Sequence, residues 1–181
     1  MIELSTFDNS NWERGRSRFV ELLWLITQFL FFGDTILPLY KLKRFLLRSF
    51  GAKVGVGVVI KPRVRIKFPW RLDLGDHVWI GEGVHILNLA PVTIQSSSCI
   101  SQNAFICTGS HDFYQDSFPL VVNAIYVGRS SWIAANAFIG PGVTIGDGCL
   151  IGAGCVLVKD LPNRKIAFGN PAIVKEPRSD V

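Results

Sequence analysis

Residues 127–160 read "VGRSSWIAANAFIGPGVTIGDGCLIGAGCVLVKD". Val127, Ile133, Ile139, Ile145, Ile151 and Leu157 return at an unbroken step of six. Helices repeat every 3.6 residues and strands every two, so neither alone produces this pattern. A fixed period points to a repeat architecture. A short strand followed by a tight bend turns one large aliphatic side chain inward per six residues. A small residue four positions on (Ser131, Ala137, Val143, Cys149, Cys155) then also points in, where a bend leaves little room. Three such sides close a triangular coil of 18 residues. Successive coils stack about 4.8 Å apart by parallel-strand hydrogen bonding. Gly and Asp-Gly pairs supply the backbone freedom of the corners. The period fixes the coil but not its hand.

The upstream half obeys the same rule with a departure. Val54, Ile60 and Ile66 form one triplet, Leu74, Ile80 and Ile86 the next, and Ile94, Ile100 and Ile106 the third. Their first members are 20 residues apart, and the two extra residues always follow the third hexad. Those segments are "KFPWRLD", "LNLAPVT" and the much longer "CTGSHDFYQDSFPLVVNAIY" after Ile106. Stacking therefore piles three irregular segments at one corner, and a corner that carries the long loop is the expected place for function. Asn88 and His111 both fall there, on adjacent coils.

The rest of the composition bounds the answer. A chain of 181 residues holds one ordinary domain with a core. A net charge of +5 suits an anionic partner. Cys99, Cys107, Cys149 and Cys155 form no CxxC pair and no secretory signal precedes them, so they read as reduced packing residues of a cytoplasmic protein. The uncharged run Leu22–Gly33 falls well short of the roughly 20 apolar residues of a membrane span.

With "VTIGDGCLIGAGCVLVKDLPNRKIAFGNPA", "NLAPVTI" and "TGSHDF" in view, the chain resembles the left-handed β-helix, hexapeptide-repeat acyltransferases, and within them the colanic acid biosynthesis acetyltransferase branch. The resemblance implies an all-β solenoid, a left-handed parallel β-helix with an N-terminal helical cap. It also implies acetyl-CoA as cosubstrate, a sugar acceptor, and a homotrimer with active sites between subunits. The expected segments are a cap or arm over 1–52, the β-helix over 53–161 with a long loop at 107–126, and an extension over 162–181 that folds back along the outside.

Acyl transfer from a thioester to a hydroxyl needs a base near neutral pH, a donor for the developing oxyanion, and a slot with cations for the cofactor. His111 matches the family's catalytic histidine, against the alternative of a loop histidine bonded to a backbone carbonyl. Asp112 is read either as an acceptor contact or as a solvated turn residue. Asn88 matches an acceptor-contacting asparagine, with a tight-corner role as the equal alternative. Trp132 walls the pantetheine groove or lies at a trimer seam. The Ala135 N–H matches the oxyanion donor, Ala153 leaves room for pantetheine, and Lys159 matches a lysine at the phosphate end. Ile173 stands where relatives often carry a cation, which Lys175 or Arg178 would have to replace. His77 and His85 occupy different positions on different sides, so no metal is expected.

The first ~50 residues close the open end of the solenoid, which otherwise exposes strand edges and core. Lys41, Lys43, Arg44 and Arg48 interleave with apolar residues, so contact with an anionic inner-membrane surface is the second reading. The function expected is O-acetylation of a sugar hydroxyl in exopolysaccharide biosynthesis, with no nucleic acid involved. N-acetylation of an amino sugar or small xenobiotic is the enzyme rival, and a non-catalytic β-helix scaffold the rival from another class.

Overall fold

The computed structural model describes residues 2–10, 12–34 and 39–176. Arg178, named above as a replacement cation, lies outside the described residues. Strands of two or three residues form three parallel ladders, one per side of a triangular prism. The first side stacks Lys53–Val54, Leu72–Leu74, Val92–Ile94, Ile125–Val127 and Thr144–Ile145. The second runs from Val59–Ile60 through Trp132–Ile133 to Ile166–Phe168, and the third from Arg65–Ile66 through Phe105–Cys107 to Val156–Leu157. Register follows the hexads: Ile133 pairs with Ile100 and Ile151, and Ile139 with Ile106 and Leu157. Every hexad aliphatic is buried, as are Ser131, Ala137, Val143, Cys149 and Cys155 four places on.

The glycines divide into two kinds. Gly148 and Gly154, second in their turns, have φ near +65° and need the left-handed conformation. Gly128 does not: a Cβ there would sit 2.5 Å from the carbonyl carbon of Gly146 in the next coil. The glycine that follows a hexad aliphatic is therefore set by the close approach of stacked corners.

At the far end the solenoid outruns its expected boundary. Leu161 bridges in parallel to Ile145, and Ile166–Phe168 pairs in parallel with Leu150–Ile151, so residues 161–168 continue the coil with a step of 16. The fold-back begins only after the cis Asn170–Pro171 peptide, where Ile173–Lys175 pairs antiparallel with Ile166–Phe168.

The near end is closed by α1 (Arg18–Phe32) and α2 (Tyr40–Ser49). The first coil's strand N–H groups bond upward to the second coil, which leaves carbonyls facing the cap. Basic residues of α2 answer them. Arg48 Nε donates to Val54 O at 2.9 Å, Arg44 to Val58 O at 2.8 Å, and Lys43 Nζ to Ile60 O and Lys61 O. On the third side Trp24 Nε1 donates to Ile66 O, and Gln28 Oε1 accepts from Ile66 N. Trp24, Phe32 and Leu47 join the core. Three of the four cations assigned above to a membrane-facing stripe are thus donors to a sheet edge, and Lys43 is buried beneath Phe32. Among the described residues, no helix is long and apolar enough to cross a membrane.

Candidate active site

The three irregular segments do stack, between the third side of each coil and the first side of the next. The lowest is a single turn, Pro69–Arg71, beside Phe68. Asn88, from the segment above, spans the gap to it: Oδ1 accepts from Phe68 N at 2.9 Å and Nδ2 donates to Phe68 O at 2.6 Å. Asn88 is fully buried, so its amide clamps two coils together and presents no exposed atom to an acceptor. Thr108 repeats the device one coil higher, accepting from Ala90 N and donating to Leu87 O.

The long loop folds as an antiparallel hairpin of Gly109–His111 with Leu120–Val122. His111 ends the first strand and is exposed. Its Nδ1 lies 2.9 Å from Phe118 O. A carbonyl can only accept, so Nδ1 carries the proton and Nε2 is left with a lone pair. The Phe118 ring stacks on the imidazole at 4.3 Å with planes 3° apart and fixes its tilt. Bonding to a backbone carbonyl is therefore what fixes the orientation of this side chain. Asp112 is committed to the turn: its carboxylate accepts from Tyr114 N and Gln115 Nε2.

A second wall of the corner comes from a segment with no sequence period. Residues 2–10 and 12–17 run as an arm along this edge. Trp12 Nε1 donates to Leu89 O, Trp70 Nε1 to Arg14 O, and Glu3 N to Asp116 O. Arg71 lies over the Trp12 ring. Phe7 reaches the imidazole of His111, with ring centroids 5.8 Å apart. The one sequence signal for the arm is Trp70–Arg71 in the lowest bulge, side chains apt to take a covering partner.

The remaining expected residues fall elsewhere on the prism. Trp132 faces outward on the second side, with Nε1 donating to Ser101 Oγ. Ala135 and Ala153 occupy stacked turns at the corner between the second and third sides. The Ala135 N–H donates no hydrogen bond among the described residues, while its carbonyl accepts from Gly154 N. Lys159 is exposed at the His111 corner, two coils higher. Ile173 and Lys175 are exposed on the last strand. His77 sits in a turn with φ +57°, whereas His85 stacks on Phe105. Among the described residues no three His, Cys, Asp or Glu side chains converge as a metal site.

One chain thus carries an exposed imidazole on one edge and, on another, a backbone N–H without a partner among the described residues. A family profile for the bacterial transferase hexapeptide (six repeats) matches residues 124–159. Over 178 residues, 98% of each chain, the sequence is 42% identical to an Escherichia coli (strain K12) protein named "Putative colanic acid biosynthesis acetyltransferase WcaF". The chain belongs to the hexapeptide-repeat acyltransferases. Its solenoid is the left-handed β-helix of that family. A hexapeptide-repeat acetyltransferase from Vibrio cholerae O1 biovar eltor, solved with acetyl-CoA, superposes with a TM-score of 0.78 at 24% identity, covering 92% of both chains. A galactoside acetyltransferase solved with coenzyme A gives 0.80 at 23% identity, over 90% of this chain and 82% of that one. At such identities the two structures speak for the fold of this acyltransferase.

Proposed function

We propose that this acyltransferase moves an acetyl group from acetyl-CoA to a sugar hydroxyl during assembly of a colanic-acid-like exopolysaccharide, as a trimer with active sites between copies. The observation that carries the reading is His111: exposed, pinned through Nδ1 to Phe118 O, and open at Nε2. The full-length relationship to WcaF supports the pathway.

The need for a second copy follows from distance. The edges bearing His111 and Ala135 are separated by the six residues of the third side, roughly 20 Å at about 3.3 Å per residue. Reacting atoms must lie within about 3.5 Å. Outer faces support the packing. The second side shows Trp79, Cys99, Trp132 and Leu150, and the third a ladder of His85, Phe105 and Phe138 above Arg65. The first side instead shows Lys53, Asp73, Thr93, Tyr126 and Thr144. Two apolar faces and one polar face suit a heterologous ring of three.

The cofactor fits the residues present: exposed Ala153 leaves space, Trp132 gives a flat wall, the Ala135 N–H lacks a partner, and Lys159 makes no ion pair among the described residues. When bound, acetyl-CoA supplies the activated acyl group. His111 Nε2 takes the proton of the attacking hydroxyl and returns it to the leaving sulfur. The Ala135 N–H of the neighbouring copy meets the negative charge that develops on the acyl oxygen. Phe7 and the hairpin close the acceptor side.

Acetyl transfer by His111→Ala tests the assignment. The expected loss is about 100-fold or more. Undiminished turnover would remove His111 from the mechanism. Acceptors with matched hydroxyl and amine groups separate O- from N-acetylation.

A further inference from the structure

We propose that the outward face of α1 docks this protein on an anionic lipid bilayer. The helix has two opposed stripes. Glu21, Trp24, Gln28 and Phe32 face the solenoid, where Glu21 bridges Arg14 and Lys67. Phe19, Leu22, Ile26 and Phe29, spaced 3, 4 and 3, face away and are exposed, Phe29 at 83%. Leu23, Leu25 and Leu30 widen that stripe. The polar side chains within the helix are spent elsewhere: Gln28 on Ile66 N and Thr27 on Leu23 O. This inverts the usual surface helix, whose polar residues face water. Seven contiguous large apolar side chains exceed what a soluble surface carries without a partner.

The flanks discriminate between partners. A helix seam with a second copy places charges beside an apolar stripe of this spacing. Here those places hold Leu23, Leu25 and Leu30. An apolar sector this broad suits insertion among acyl chains, with the helix lying in the plane of the interface. Fifteen residues reach only about 22 Å, too short to span.

Charge selects the lipid. Arg16 and Arg18 are exposed at the start of the helix. Toward its end a groove of about 940 Å³ has Leu25, Phe29 and Phe32 on one side and Arg63 and Arg65 on the other. Asp34 and Glu82 pair with Arg63, which leaves Arg65 without an ion pair among the described residues. An exposed guanidinium beside an apolar groove matches a headgroup phosphate next to its acyl chains.

The test is sedimentation of the full chain with vesicles of phosphatidylglycerol and phosphatidylcholine (1:1), and of phosphatidylcholine alone. The protein is expected on the anionic vesicles and more weakly on the neutral ones. The triple variant Leu22→Gln, Ile26→Gln, Phe29→Gln should bind about 100-fold more weakly. Arg65→Gln should reduce the preference for anionic vesicles about fivefold. Both variants should keep the parent's thermal unfolding, oligomeric mass and acetyl transfer to a soluble acceptor. Parent protein left in the supernatant overturns the proposal. So does a triple variant that binds like the parent, or one whose oligomeric mass falls, which would give the face to a second copy.

Discussion

If base and oxyanion donor come from different copies, two inactive variants should repair one another. His111→Ala removes the base and should cost about 10²–10⁴ in rate. Ala135→Pro removes the N–H and should cost about 10²–10³, or ~2.7–4 kcal/mol of barrier. The proline is tolerable because Pro62 already fills the equivalent turn position at the same corner of the first coil. Co-expression at equal levels fills each position of a trimer with either variant at even odds. A working site needs a Pro-bearing chain to lend His111 and its neighbour on one particular side to lend Ala135. That combination occurs in about one quarter of sites. The assay is acetyl-CoA-dependent release of free thiol with a sugar acceptor, on material purified through two tags. Recovery near one third of parental turnover is expected, because each mixed trimer that passes both tags holds one such junction in three, against ~1% or less for each homotrimer. A mixture no more active than its parts, with both variants folded, would refute a site shared between copies.

Asn88→Ala should lose about 1–3 kcal/mol in urea unfolding, since it leaves the buried Phe68 N–H without a partner and the Phe68 carbonyl with only Arg71 N. Glu21 gives a pH signature. Burial raises its carboxyl, but Lys67 and Arg14, each 2.8 Å away, together hold it below the ordinary value of 4.5. Because the folded value lies below the unfolded one, the carboxylate stabilises at neutral pH and loses that effect as pH falls through the folded value. Glu21→Gln should therefore be about 1–3 kcal/mol less stable at pH 7, with the gap closing in acid, as thermal melts across pH 3–7 would register. Phe7→Ala should raise the acceptor KM about three- to tenfold with little change in the KM for acetyl-CoA, because Phe7 touches only the His111 side of the site.

The coil was legible because a step of six turns one aliphatic inward per side, and each hexad aliphatic from Val54 to Leu157 is buried. The stacked corner was legible from counting alone. The last coil was not, since Leu161 follows Ile145 by 16 residues and breaks the rule it continues. Asn88 reached its corner as expected, but spacing does not say whether a corner side chain turns in or out. It turned in because the Phe68 N–H has no other partner among the described residues, while the Phe68 carbonyl, which also accepts from Arg71 N, takes the amide's second bond. The cations of α2 had the pattern of a membrane face because hydropathy does not know which carbonyls the neighbouring strand leaves open. The arm over residues 2–10 and 12–17 was invisible for a simpler reason: it has no period, and its contacts are to bulges that have none either.

The same regularity that makes this fold readable limits what it can do alone. The inward hexad positions hold large aliphatics, so chemistry is confined to the corners. Corners on different edges are held apart by a rigid side of fixed width, and no rotamer closes that gap. Two devices overcome it. An insertion at one corner, the hairpin after Ile106, carries His111 away from the prism surface and pins it there through Phe118. On the proposed reading the other device is a neighbouring copy, whose second-to-third corner lies between the two apolar outer faces and would be drawn toward this hairpin as those faces are covered. On that reading the aromatic ladders and the unpaired Ala135 N–H belong to one design. The faces supply the association energy, and the corner between them arrives already bearing the donor that the hairpin's base requires.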